Sequence, residues 1–148
     1  MCKIAGVKDD EILCPPEAKI LEELYNTFDG SAWVNNMFWL DETVTYCLWH
    51  GVSCDDLSVG LIKLELVNNG LSGVLGTRVV ELVSGLRQLR GLDLNTNNIE
   101  VRPSLSICMI GCSYFAGVDF FGHQGTIPAE IVMLENLVEL DLSNQKRV

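Results

Sequence analysis

The sequence predicts an α/β solenoid, built from leucine-spaced repeats behind a helical, aromatic-rich N-terminal cap. Three observations carry that expectation. The first is Leu61-x-x-Leu64-x-Leu66-x-x-Asn69-x-Leu71-x-Gly73-x-Leu75, in which apolar positions alternate as in a strand and then meet an Asn and a Gly that turn the chain. The second is arithmetic. Leu92, Ala116 and Leu140 are separated by 116 − 92 = 24 and 140 − 116 = 24 residues, and Leu94, Val118 and Leu142 keep the interval. The third is Cys47-Leu48-Trp49-His50-Gly51-Val52-Ser53-Cys54, a short cysteine-bracketed loop with an aromatic anchor, immediately before the first leucine run.

Residues 1–16 read as a tail, because Cys14-Pro15-Pro16 prevents a helix from starting earlier. Ile20, Leu21, Leu24 and Phe28 then fall on one helical face, and Asp29-Gly30-Ser31 supplies the stop. Trp33, Phe38, Trp39 and Trp49 follow in a polar stretch that suits irregular structure with aromatic plugs. Residues 17–60 thus form a cap over the first coil, whose apolar end would otherwise meet water.

Residues 61–148 divide into four units, with strand cores expected at Leu64/Leu66, Leu92/Leu94, Ala116/Val118 and Leu140/Leu142. The first interval, 92 − 64 = 28, leaves room for one more helical turn within residues 77–85, expected as a surface feature. Gly125-x-Ile127-Pro128 matches Gly73-x-Leu75-Gly76 in phase. The third unit is degenerate: Phe121 stands where the first two have Asn69 and Asn97, and His123 where they have Leu71 and Ile99. Its alternative is foreign sequence over residues 102–123, such as a retained intron. A random insert keeps a repeat phase only about once in two dozen lengths, which favours a true repeat. The fourth unit carries Gln145 in place of the Asn.

These motifs give residues 17–75 a resemblance to the N-terminal cap and first repeat of plant-type leucine-rich repeat proteins, which include receptor-like kinase ectodomains and polygalacturonase-inhibitor-like proteins. The resemblance implies a disulfide between Cys47 and Cys54. Two other readings stay open there: reduced cysteines, or a zinc site in which His50 joins them, although a fourth ligand is missing locally. It also implies non-catalytic recognition of a protein or peptide. Two alternatives are the sensor part of a larger receptor-like kinase or other signalling enzyme, and an inhibitor of a secreted enzyme. An extracellular or cell-surface setting follows from the resemblance, while residues 1–16 lack the apolar core of a signal peptide.

Composition narrows the partners. Twenty acidic against ten basic residues, a formal charge of −10, argue against nucleic acid, whose phosphates require a Lys/Arg surplus. The uncharged run over residues 103–118 falls short of the roughly 20 residues of a membrane span. The two histidines lie at a cap turn and a repeat core position, no serine or cysteine nucleophile sits in a recognisable setting, and no phosphate-loop motif exists. No enzymatic activity and no cofactor or metal is therefore expected.

Strand alternation places Glu65, Asp93, Gly117 and Asp141 in one outward row, flanked by Lys63, Gly91, Phe115 and Glu139 and by Val67, Asn95, Asp119 and Ser143. That row is either a solvated strand face or a binding surface. Tyr114, Phe115 and Phe120 have the composition of a binding hot spot, or else turn inward to fill the third unit. A fourth unit with nothing stacked on it would expose apolar surface and strand edge, so self-association through it is a further expectation.

Overall fold

A computed structural model describes residues 16–55, 60–101 and 129–145. The domain is mixed α/β. Helix α1 (Pro16–Thr27) begins on a proline, whose fixed φ and missing N–H suit a first helical position. Its buried stripe is Ala18, Leu21 and Leu24, continued by Phe28 just past its end, and Asp29 at φ 55° turns the chain away. Two single turns of 3₁₀ helix, Gly30–Ala32 and Tyr46–Leu48, carry the chain to strand β1 (Val52–Cys54).

The leucine runs form strands β2 (Leu61–Glu65), β4 (Gly91–Asp93) and β6 (Glu139–Asp141), while β3 (Ser72–Leu75) and β5 (Asn98–Val101) make a second parallel sheet. The main sheet has the order β1-β2-β4-β6. β1 runs antiparallel to β2 and covers its outer edge, and the other pairings are parallel. Leu64, Leu92 and Leu140 lie side by side in the core, beneath Leu66, Leu94 and Leu142. Deleting such a buried leucine to Ala typically costs 2–5 kcal/mol.

Helix α2 (Thr77–Ser84) is the extra turn expected over residues 77–85, but it is more than a surface feature. Val79, Val80 and Val83 point into the core. One strand relationship also differs from expectation. β4 is paired with β2 on one edge and β6 on the other, so no strand from a third unit separates them. Ala116 and Val118 lie outside the described residues.

Buried amides explain the stacking. Asn97 Oδ1 accepts from the N–H groups of Asn69 (3.0 Å) and Leu71 (3.1 Å), while its Nδ2 donates to Leu66 O (2.7 Å) and Leu94 O (2.9 Å). Gln145 does the same one level on. Its Oε1 accepts from Ile99 N (3.0 Å), and Nε2 donates to Leu94 O (2.8 Å) and Leu142 O (3.3 Å). Asn69 begins the series by tying itself to Asn35 of the cap, through Asn35 N (2.7 Å) and Asn35 O (2.9 Å). Each rung satisfies backbone groups that a sharp turn leaves orphaned in the interior.

The cap is held by rings. Trp33 meets Trp39 edge-on at 4.8 Å between centroids, Trp39 meets Trp49 at 5.1 Å, and Tyr25 of α1 packs on both Trp33 and Trp39. Trp33 Nε1 donates to Phe28 O (2.8 Å) and Trp39 Nε1 to His50 O (2.9 Å). Phe38 is a correction to the plug: it is 43% exposed at φ 65°, whereas Tyr46 is buried.

Candidate functional site

Parallel pairing without offset sets the geometry of the open face. Lys63, Gly91 and Glu139 form one row and Glu65, Asp93 and Asp141 the next, as period-two alternation requires once the leucines between them point inward. The structure thus brings together the three described members of the acidic row. Gly117, Phe115 and Asp119, with Tyr114 and Phe120, lie outside the described residues.

Two devices shape this surface. Lys63 Nζ pairs with Glu65 Oε1 at 3.0 Å and reaches across the intervening strand to Glu139 Oε2 at 3.6 Å. Gly91 permits that crossing, since a Cβ there would lie 2.8 Å from Lys63 Cγ. The Glu65 hydrogen bond, its charge and that of Glu139 hold the Lys63 ammonium above the usual lysine range. The second device is a repeated turn. Asp93 Oδ1 accepts from Asn95 N (3.0 Å), and Asp141 Oδ1 from Ser143 N (2.8 Å). Asn95 Nδ2 links the strands by donating to Asp141 Oδ2 (3.1 Å) and to Ser143 Oγ.

The two aspartates differ in consequence. Burial pushes the Asp93 carboxyl above the ordinary carboxylate range, the Asn95 hydrogen bond opposes it, and the charges of Asp141, Glu65 and Glu139 add to the rise. Burial also acts on Asp141, but hydrogen bonds from Ser143 N–H, Ser143 Oγ and Asn95 together bring its carboxyl below that range. The result is an acidic strip with one cationic bracket. It contains no nucleophile paired with a base.

At the cap, Cys47 and Cys54 form a disulfide with Cα atoms 5.6 Å apart, which sets aside both the reduced pair and the zinc reading. His50 faces elsewhere, its Nδ1 3.1 Å from Asn35 Nδ2. The bridge fixes β1 against the outer edge of β2. Among the described residues no cluster of His, Cys, Asp and Glu is grouped to hold a metal ion, and no helix is long and apolar enough to cross a membrane. Sequence reasoning missed the Lys63–Glu139 bridge. The signal was Gly91, the lone glycine in a described outward row.

No protein-family model matches the chain. It is 31% identical over 106 residues to Receptor-like protein 50 of Arabidopsis thaliana, a match that takes 66% of this chain and 11% of that protein. The chain is therefore similar to a small part of a much longer relative. Among solved structures, the crystal structure of the BIR3–SERK2 complex from Arabidopsis thaliana has a chain similar to it at a TM-score of 0.49 and 24% identity, over 88% of this chain and 70% of that one. With the leucine spacing, the receptor-like relative supports a plant protein related to the leucine-rich repeat class.

Proposed function

We propose that this chain is a plant-type leucine-rich repeat solenoid, cap over residues 17–60 and repeats beyond, that recognises a basic protein or peptide segment without catalysis. The observation that carries this is the in-register row Glu65, Asp93 and Asp141, three carboxylates on adjacent strands of one open face. Carboxylates held on a rigid sheet accept paired hydrogen bonds from Arg and Lys, and electrostatic complementarity of this kind selects partners. The proposal rests on that row and not on Tyr114, Phe115 and Phe120.

A peptide array tests it. The chain should retain Lys/Arg-rich peptides over neutral ones, and the triple variant Glu65→Gln/Asp93→Asn/Asp141→Asn, folded by near-UV circular dichroism, should lose the preference. An unchanged preference in that variant sinks the reading. A second reading, the sensor part of a larger receptor-like protein, is supported by the match to 11% of Receptor-like protein 50. Sequencing the transcript beyond Val148 decides it.

A further inference from the structure

We infer that residues 101–124 are an insertion inside a single repeat, encoded by an unspliced stretch of the transcript, and that the interrupted unit originally ran from Glu100 directly to Gly125. The inference rests on the repeat reading above and is independent of what the chain binds.

The strand order is the first support. β4 has β2 and β6 as its two neighbours, and the ladder continues past the strands through Leu94 N to Asp141 O (2.9 Å) and Thr96 N to Ser143 O (3.0 Å). The same contacts join the first two units, Leu66 N to Asp93 O (2.8 Å) and Asn68 N to Asn95 O (2.9 Å). The rungs agree. Gln145 stands to Leu94 and Ile99 as Asn97 stands to Leu66 and Leu71, so Gln145 occupies the place that a third-unit residue 121 would need. Left-handed residues mark each turn immediately before the rung: Asn68 at φ 49°, Thr96 at 58° and Asn144 at 54°. By strand pairing and by the amide rung, the unit ending in Gln145 is the direct neighbour of the unit containing Asn97, and the matching left-handed residues show that its turn is of the same kind.

The sequence shows where the excess lies. The first unit reads Leu71-Ser72-Gly73-Val74-Leu75-Gly76, whereas the second begins alike with Ile99-Glu100, holds Val101 at the end of β5 opposite Leu75, and departs in sequence from Val101-Arg102-Pro103 onward. The missing continuation appears later as Gly125-Thr126-Ile127-Pro128. Joining Glu100 to Gly125 restores the pattern and removes 125 − 101 = 24 residues. That length equals the repeat, which is why the spacing from Leu94 to Leu142, 142 − 94 = 48, mimics one unit more than the sheet contains. It also explains why Phe121 and His123 fit no repeat position.

The edges fit an intron. Every Val codon begins GT, and an Arg codon beginning AG can follow it, so Val101-Arg102 can encode the GTNAG of a splice donor. Gln124 can be CAG, the acceptor, and Phe120-Phe121 places pyrimidines shortly upstream. Twenty-four codons preserve the frame.

Two measurements test this. In the full chain with Cys2, Cys14, Cys108 and Cys112 changed to Ser, the pair Asp93→Cys/Asp141→Cys should form a disulfide on oxidation. Adjacent strands lie about 4.8 Å apart and an intervening strand would double that, beyond disulfide reach. The chain lacking residues 101–124 should form the same bridge and unfold at an equal or higher denaturant midpoint. Amplification of the transcript across the segment should yield a second product shorter by 24 codons, with GT and AG at its genomic edges. Failure of the bridge in the full chain, or genomic edges without GT and AG, overturns the inference. Loss of peptide binding alone leaves it intact and bears only on the function proposed above.

Discussion

Lys63 reaches Glu139 across β4 at Gly91, the one position of that strand with no side chain to block it. The 3.6 Å contact between their charged groups passes over Gly91, so a residue that reads as a gap in the outward row works as a channel. Gly91 does not have a left-handed φ, and Ala can adopt its backbone. Gly91→Ala should leave the unfolding midpoint nearly unchanged while displacing the Lys63 stem. The measurable result is a Lys63 pKa moved down toward its ordinary value, read by NMR titration of the side chain. A value as high as in the parent would show that Glu65 alone holds the ammonium.

Asp93 and Asp141 should give opposite slopes in stability against pH. The folded Asp93 pKa is raised, so the folded state binds the proton more tightly and stability falls as pH rises from the unfolded value of about 3.9 through the folded one. The folded Asp141 pKa is lowered, so its contribution is present above about 3.9 and is lost as pH falls toward the folded value. At neutral pH, Asp93→Asn keeps an acceptor for Asn95 N–H and removes like-charge repulsion. It should be neutral or stabilising by a few tenths of a kcal/mol, solvent screening having reduced the effect. Asp141→Asn should instead destabilise. Urea unfolding between pH 3 and pH 7 checks both signs, and a shared sign refutes the account.

How much of this was legible in the sequence depends on period. Leu64, Leu92 and Leu140 announce their strands because alternation against a buried face has no other solution, and the stripe of α1 is equally forced. The acidic row follows from the same alternation. What the spacing could not reveal is stacking order, since 48 residues separate Leu92 from Leu140 and a 24-residue period leaves room for a strand between them, whereas the pairing makes these two strands direct neighbours. Phe38 was misplaced for another reason. Aromatic content marks a cap, but Phe38 sits at a left-handed backbone position with its ring exposed, while Tyr46 is buried.

Asn97 is expected to be the costliest polar residue in the repeats. Asn97→Ala removes the acceptor of two buried N–H groups and the donor to Leu66 O and Leu94 O. Each orphaned buried group costs about 1–3 kcal/mol, so a total of at least about 3 kcal/mol is expected. Gln145→Ala leaves Ile99 N–H and Leu94 O without that rung and should cost less, because it supports fewer groups of the preceding unit. Amide hydrogen exchange should localise the damage, with Leu71 opening in the first variant and Ile99 in the second. Equal protection at Leu71 in both proteins would remove Asn97 from its assigned role.

The three cap tryptophans should rank by their indole nitrogens rather than by their burial, which is nearly the same at 6%, 7% and 5% for Trp33, Trp39 and Trp49. Trp33 and Trp39 donate to Phe28 O and His50 O, and replacing either with Phe removes that hydrogen bond as well as shrinking the ring, although Phe28 O keeps a second donor in Ser72 N–H. Trp49 Nε1 is buried with no hydrogen-bond partner among the described residues, so Trp49→Phe removes a group that already carries a desolvation cost. All three variants lose packing of similar size. Trp49→Phe should therefore be less destabilising than the other two by about 1 kcal/mol or more, measured by urea unfolding of the oxidised protein. If Trp49→Phe is the most destabilising of the three, ring packing against Trp39 at 5.1 Å outweighs the hydrogen-bond ledger and the ranking is wrong.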